Sequence, residues 1–193
     1  MEPWLSFYLP HFDSEQSARD FIQACESLPP SAPNHVAKVM MHQTQRLISI
    51  VDDLPKLRPH KEPLQVLFLM MCVENIAKLH DGFNGEGQSR RYVQQFFERF
   101  LSQKDKDALA HGFKDHTGMT LPPLGFTRAV DLLYDMRCDV VHEGNYTDFA
   151  FHDGRMSILN TNPDVIAEIS FPQVRDIVVR GCINAIKGKL AGP

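Results

Sequence analysis

Cysteines are few and scattered in this sequence. Cys25, Cys72, Cys138 and Cys182 stand far apart, with no Cys-x-x-Cys pair. That excludes a dense disulfide framework or a zinc ribbon and fits reduced thiols in a helical core. Positive charge is not in excess: the formal net charge is −4. A broad basic face for long nucleic acids is thereby disfavoured, while room remains for a small basic cleft. Long apolar runs are missing too. The longest, residues 66–73, has eight residues, against the about 20 that a membrane helix needs. The opening Met-Glu-Pro-Trp has neither the basic nor the apolar region of a signal peptide. There is no Gly-x-Ser-x-Gly, no second histidine four places after His142, and no strand pattern ahead of the glycine-bearing loop 81–87. Nucleophile-elbow, zinc-protease and phosphate-loop signatures are therefore excluded. His111 and His116, near Asp115, read as solvated helix-end residues. The expectation is a soluble, cytoplasmic protein with no membrane contact, no cofactor and no metal.

What is present is a helical pattern. With 193 residues, 43% of them hydrophobic, the chain suits one domain with a small insert. Residues 1–12 are aromatic and proline-punctuated, an arm that packs on the body. Asp13 with Gln16 reads as a capping box ahead of the face Ala18, Phe21, Ile22 and Cys25. After Pro29, Pro30 and Pro33, Asn34 caps a second helix carrying Val36, Met40, Leu47, Val51 and Leu54, which Pro55 stops. Pro63 opens a helix to about His80 that is apolar nearly all round, the mark of a central helix. Tyr92, Val93, Phe96, Phe97, Phe100 and Leu101 form the next buried face, and Ser102 caps a short helix to about Phe113.

The stretch that organises the chain is Leu-Leu-Tyr-Asp-Met-Arg-Cys-Asp-Val-Val-His-Glu-Gly at 132–144. Ala129, Leu133, Met136 and Val140 share one core-facing stripe, with Arg137 on its flank. His142 falls in the last turn, and Gly144 is placed to close the helix in the left-handed conformation. Beyond it, 149–151 and 156–159 flank the turn signal His152-Asp153-Gly154-Arg155, and 165–171 supplies a third short run. Pro172 then opens a last helix with Val174, Ile177, Val178, Cys182, Ile183 and Ile186 inward. The fold expected is mainly α: a helical bundle with a β-hairpin or short-sheet insert at about 148–171, before the last helix. Residues 1–62 form a helical region that packs on a domain at 63–193.

Two readings stand for Glu74. It pairs with Lys78 one turn on, or it anchors Arg137 from behind. Two also stand for the Arg137/His142 pair. In the structural one, Arg137 bridges Asp135, Asp139 or Glu74 and His142 caps the last helical carbonyls, favoured there by the helix dipole.

In the other, the pair is a site. Arg137 and His142, four residues between them at the end of a late helix, resemble the Arg-x(4–6)-His motif of the HEPN superfamily. The surrounding residues look like its Apea-like group. The resemblance extends to the upstream apolar helix with Glu74 and the Phe-rich helix ending at Leu101, covering about 63–190. It implies a HEPN-like bundle that forms homodimers and cleaves RNA without metal. Arg137 and His142 are then the catalytic residues, with Glu74, Asp139 and Glu143 in support. A role as a toxin or in defence, with an antitoxin or other regulatory partner, is implied by the resemblance alone. The acidic neighbours Asp135, Asp139 and Glu143 oppose RNA unless cations such as Arg90, Arg91 or Arg155 offset them. The rival readings are a non-catalytic HEPN module that binds a nucleotide, RNA or protein, and a helical scaffold.

Overall fold

The computed structural model describes residues 2–147, 149–151 and 164–192. Among them eight helices run in the order α1 (Glu2–Tyr8), α2 (Glu15–Glu26), α3 (Val36–Leu57), α4 (Glu62–Asp81), α5 (Ser89–Phe100), α6 (Gln103–Gly112), α7 (Phe126–Glu143) and α8 (Phe171–Leu190). A 3-10 turn, Leu9–His11, follows α1. The short strands β1 (Phe113–Asp115) and β2 (Val165–Ala167) complete the described fold.

The all-round apolar helix is central, as its pattern predicts. α4 packs against α3, α5, α7 and α8, and Val66, Leu69, Cys72, Val73 and Ile76 are wholly buried. Helices on both sides explain why its apolar residues do not keep to one stripe. The amphipathic α5 turns Tyr92, Val93, Phe96, Phe97 and Phe100 inward. α8 enters the core through a full capping box, in which Ser170 and Gln173 satisfy each other's backbone amides.

Several boundaries differ from expectation. Residues 2–11 are helical, and α1 docks through Leu5 and a fully buried Tyr8, whose hydroxyl donates to the Met41 carbonyl at 2.7 Å. Ser14, not Asp13, caps α2, because its side chain accepts from the amide of Ser17. α3 starts after His35 rather than Asn34, with no side-chain cap. Pro55 does not stop α3, which runs on to Leu57. A proline there leaves the carbonyl of Val51 without its helical donor. The side-chain amide of Gln65, on α4, supplies that bond at 3.0 Å.

The sheet before the last helix is present, but its pairing joins distant segments. β2 runs antiparallel to β1, with Phe113 opposite Ala167, Lys114 opposite Ile166 and Asp115 opposite Val165. The run 165–171 is thus strand only to Ala167, and Phe171 already belongs to α8. The short helix after Ser102 ends at Gly112, where β1 begins. The expected turn at 152–155 and the run at 156–159 lie outside the described residues.

Candidate functional site

α7 is held between two glycines in conformations that side chains rarely adopt. Gly125 precedes it at φ 84°, and Gly144 closes it at φ 65° in the left-handed cap position. The amides of Gly144 and Asn145 both bond the Asp139 carbonyl, which finishes the helix directly after His142 and Glu143. Asn145 then accepts from the amide and hydroxyl of Thr147, turning the chain away. Tyr146 reaches back to the α3–α4 link, where the Lys61 ammonium lies 5.9 Å from its ring centre.

The inward stripe is largely as predicted: Ala129, Leu133 and Met136 are buried, and Val140 half-buried. That face meets α4 and fixes which side chains lie along the seam between the two helices. Arg137 is one of them. Its side chain keeps only 20% of its exposure, and Nη2 lies 3.9 Å from Oε2 of Glu74. Glu74 also accepts from Lys78 Nζ at 2.7 Å and from Ser89 Oγ at 2.8 Å. Both readings of Glu74 are therefore realised at once, the Lys78 contact being the tighter. One partly buried carboxylate ties α4, α5 and α7 together.

Tyr134, one turn before Arg137, lies between two guanidinium groups. Arg90 sits 4.7 Å from the ring centre and Arg137 5.7 Å, within cation–π range. Burial, and then the neighbouring Cys138 thiol, push the Tyr134 phenol above its ordinary range. Arg90 bonds Asp131 at 3.2 Å and also Asp135. It therefore neutralises one of the acidic neighbours that would repel RNA, but it converges on α7 through those carboxylates rather than on His142. Arg91 bonds Gln88. Arg155 lies outside the described residues.

His142 stands apart from this network. It is exposed, and among the described residues no hydrogen bond or ion pair reaches it or joins it to Arg137. The carbonyl-capping role is thus not taken up by its ring, and an imidazole at this position faces solvent. Val141 beside it is 49% exposed. Asp139 and Glu143 are likewise exposed at the helix end. The structure thus brings Glu74 and Arg137 together, with His142, Asp139 and Glu143 on the last turns of the same helix. Sequence reasoning missed Tyr134 and Ser89, and it named Arg90 only as a candidate cation, without its place against α7. The recurrence of Asp131, Tyr134, Asp135 and Cys138 at helical spacing marks the α5-facing side, but only packing shows what meets it. Ser89 carries no such signal.

Among the described residues no group of three His, Cys, Asp or Glu side chains gathers closely enough to hold a metal ion. Nor, among them, is any helix long and apolar enough to cross a membrane. All four cysteines are free thiols; burial pushes that of Cys25 up to about 12. Compared with protein-family models, with curated proteins and with solved structures, the chain finds no match.

Proposed function

We propose that the chain is a HEPN-type, metal-independent endoribonuclease acting as a homodimer, with Arg137 and His142 as its catalytic residues. The observation that carries this reading is the contrast along one helix. Arg137 is held by Glu74 at 3.9 Å on the flank of α7, whereas His142 stands exposed on its last turn and, among the described residues, unbonded. Cleaving RNA without metal needs a base for the 2′-hydroxyl, charge stabilisation at phosphorus and an acid for the departing 5′-oxygen. An unengaged histidine is suited to moving protons, since its ordinary pKa is about 6.5. A guanidinium stays charged and grips two phosphate oxygens at once. One histidine cannot serve both sides of the same phosphorus in a single step. Two copies, joined through the ends of their α7 helices, would bring a second histidine, and the exposed Val141 gives that junction an apolar component.

The rival is a non-catalytic HEPN module, which binds a nucleotide, RNA or protein through the same residues. The favouring observation is the ion pair itself, because a guanidinium occupied by Glu74 is already partly neutralised. A toxin or defence role with a regulatory partner, and a cytoplasmic location, belong to the same proposal and rest on the resemblance.

The test is cleavage of a labelled structured RNA pool with EDTA present. Wild type is compared with Arg137→Ala and His142→Ala, each checked for fold and oligomeric state. Cyclic-phosphate ends that vanish in both variants are the expected result. No cleavage, or cleavage that both variants retain, rejects the site and favours the binding module.

A further inference from the structure

A second charged site lies on elements other than α4 and α7. The 3-10 turn, the start of α6 and the outer side of α8 enclose a cavity of about 410 Å³, whose walls include His11, Ser102, Lys104, Asp105, Arg180 and Lys187. The chain as a whole is acidic, yet here three cations face one carboxylate.

That carboxylate is already committed. Asp105 is almost wholly buried, accepts from Ser102 Oγ at 2.8 Å, and is gripped by Arg180 through Nη2 at 2.5 Å and Nε at 3.2 Å. Among the described residues Nη1 of Arg180 bonds nothing. Lys104 has no ion pair among them, and Lys187 only lies over the Phe12 ring, 4.7 Å from its centre. Two ammonium groups and one free guanidinium edge thus border the cavity with open donor positions. The amides at the start of α6, capped by Ser102, add positive potential on the same side.

We propose that this cavity binds a small phosphorylated molecule, whose phosphate monoester dianion is held by Lys104, Arg180 and Lys187. The charge excess matches a dianion, and a guanidinium edge beside two ammonium groups matches its three terminal oxygens. The volume lies low in the range of small-molecule sites, about 300–1,000 Å³, which suits a phosphate with a body of nucleoside size. A polymer would need a basic track leading onward. Arg175, which lies 3.4 Å from His11, is instead tied to Asp52 and Asp176, and the Lys106 ammonium is taken by the Glu98 carbonyl. None of the site's residues touches Arg137, Glu74 or Tyr134, so the inference stands apart from the ribonuclease reading.

Calorimetric titration of the full chain at fixed ionic strength tests it, with three probes: inorganic phosphate, adenosine monophosphate, and a short oligodeoxyribonucleotide carrying only phosphodiesters. Saturable binding of phosphate and, more tightly, of the nucleotide is expected. The double variant Lys104→Ala/Lys187→Ala, both exposed and outside the core, should weaken both by about ten-fold or more, as expected for losing two charge-assisted bonds. Arg137→Ala should leave them unchanged. Absence of saturable phosphate or nucleotide binding overturns the site. So does equal affinity in the double variant, or displacement of the nucleotide by a more tightly bound oligonucleotide.

Discussion

Glu74 on α4 receives Arg137 from α7 at 3.9 Å while Lys78 and Ser89 hold the same carboxylate at 2.7 and 2.8 Å. Removing it strands two partly buried cations and frees the α5 hydroxyl. Glu74→Ala should cost about 1–3 kcal/mol, the scale for leaving buried polar partners unsatisfied. Glu74→Gln, which can still accept from Ser89, should cost less. Urea unfolding of both variants checks the order, and equal losses would mean that the neutral bond from Ser89 contributes nothing beyond the carboxylate's charge.

The bond from Gln65 to the Val51 carbonyl makes a coupled prediction. Gln65→Ala leaves that carbonyl unpaired beside Pro55, at an expected loss of about 1 kcal/mol. Pro55→Ala restores a backbone donor to the same oxygen. In the Pro55→Ala background, Gln65→Ala should therefore cost markedly less than in wild type. A double-mutant cycle by chemical unfolding measures this, and strict additivity would refute the compensation.

This same pair shows where sequence reading ran out. Helices whose pattern is carried by their own residues were legible: the all-round apolar α4, the aromatic face of α5, and α7 with Gly144 at its end. Pro55 reads as a stop because its compensator sits on a different helix. β1 was hidden for a similar reason: three residues form a strand only because 165–167 return to pair with them. At the caps, Ser14 won over Asp13, an equally suitable side chain, and α3 begins after His35 with no side-chain cap at all, although Asn34 beside it is the better capping residue. In the site, the spacing of Glu74, Lys78 and Arg137 was readable. The clamp of Arg90 on Asp131 and Asp135 was not, because it requires α5 and α7 to be side by side.

Two glycines of α8 should respond to alanine with opposite signs. A Cβ at Gly181 would fall 2.9 Å from both Leu101 Cδ1 and Phe96 Cζ, inside a packed core. The helix-propensity gain of about 1 kcal/mol is then outweighed by overpacking, which costs about 1–3 kcal/mol. At Gly188 the nearest atom is His80 Nε2 at 3.7 Å, an ordinary contact. Gly188→Ala should raise the melting temperature and Gly181→Ala lower it. A gain at both positions would show that α5 and α8 do not approach as closely as described.

Asp115, at the end of β1, should titrate well below the usual carboxylate range. The Thr117 hydroxyl and amide donate to it at 2.6 and 3.0 Å, and Arg128 reaches its other oxygen at 3.0 Å. These contacts, the Thr117 hydroxyl foremost, hold its pKa down to about 2. Because the folded value is depressed, its contribution to stability is complete above the unfolded carboxyl's pKa, about 3.9, and is lost as pH falls through the folded value. Carbon-detected NMR titration should find Asp115 half-protonated near pH 2. Thr117→Val removes only the hydroxyl donor and should move the midpoint upward, and adding Arg128→Ala should move it further. A midpoint unchanged by Thr117→Val would mean that the turn after β1 is not closed by that hydroxyl.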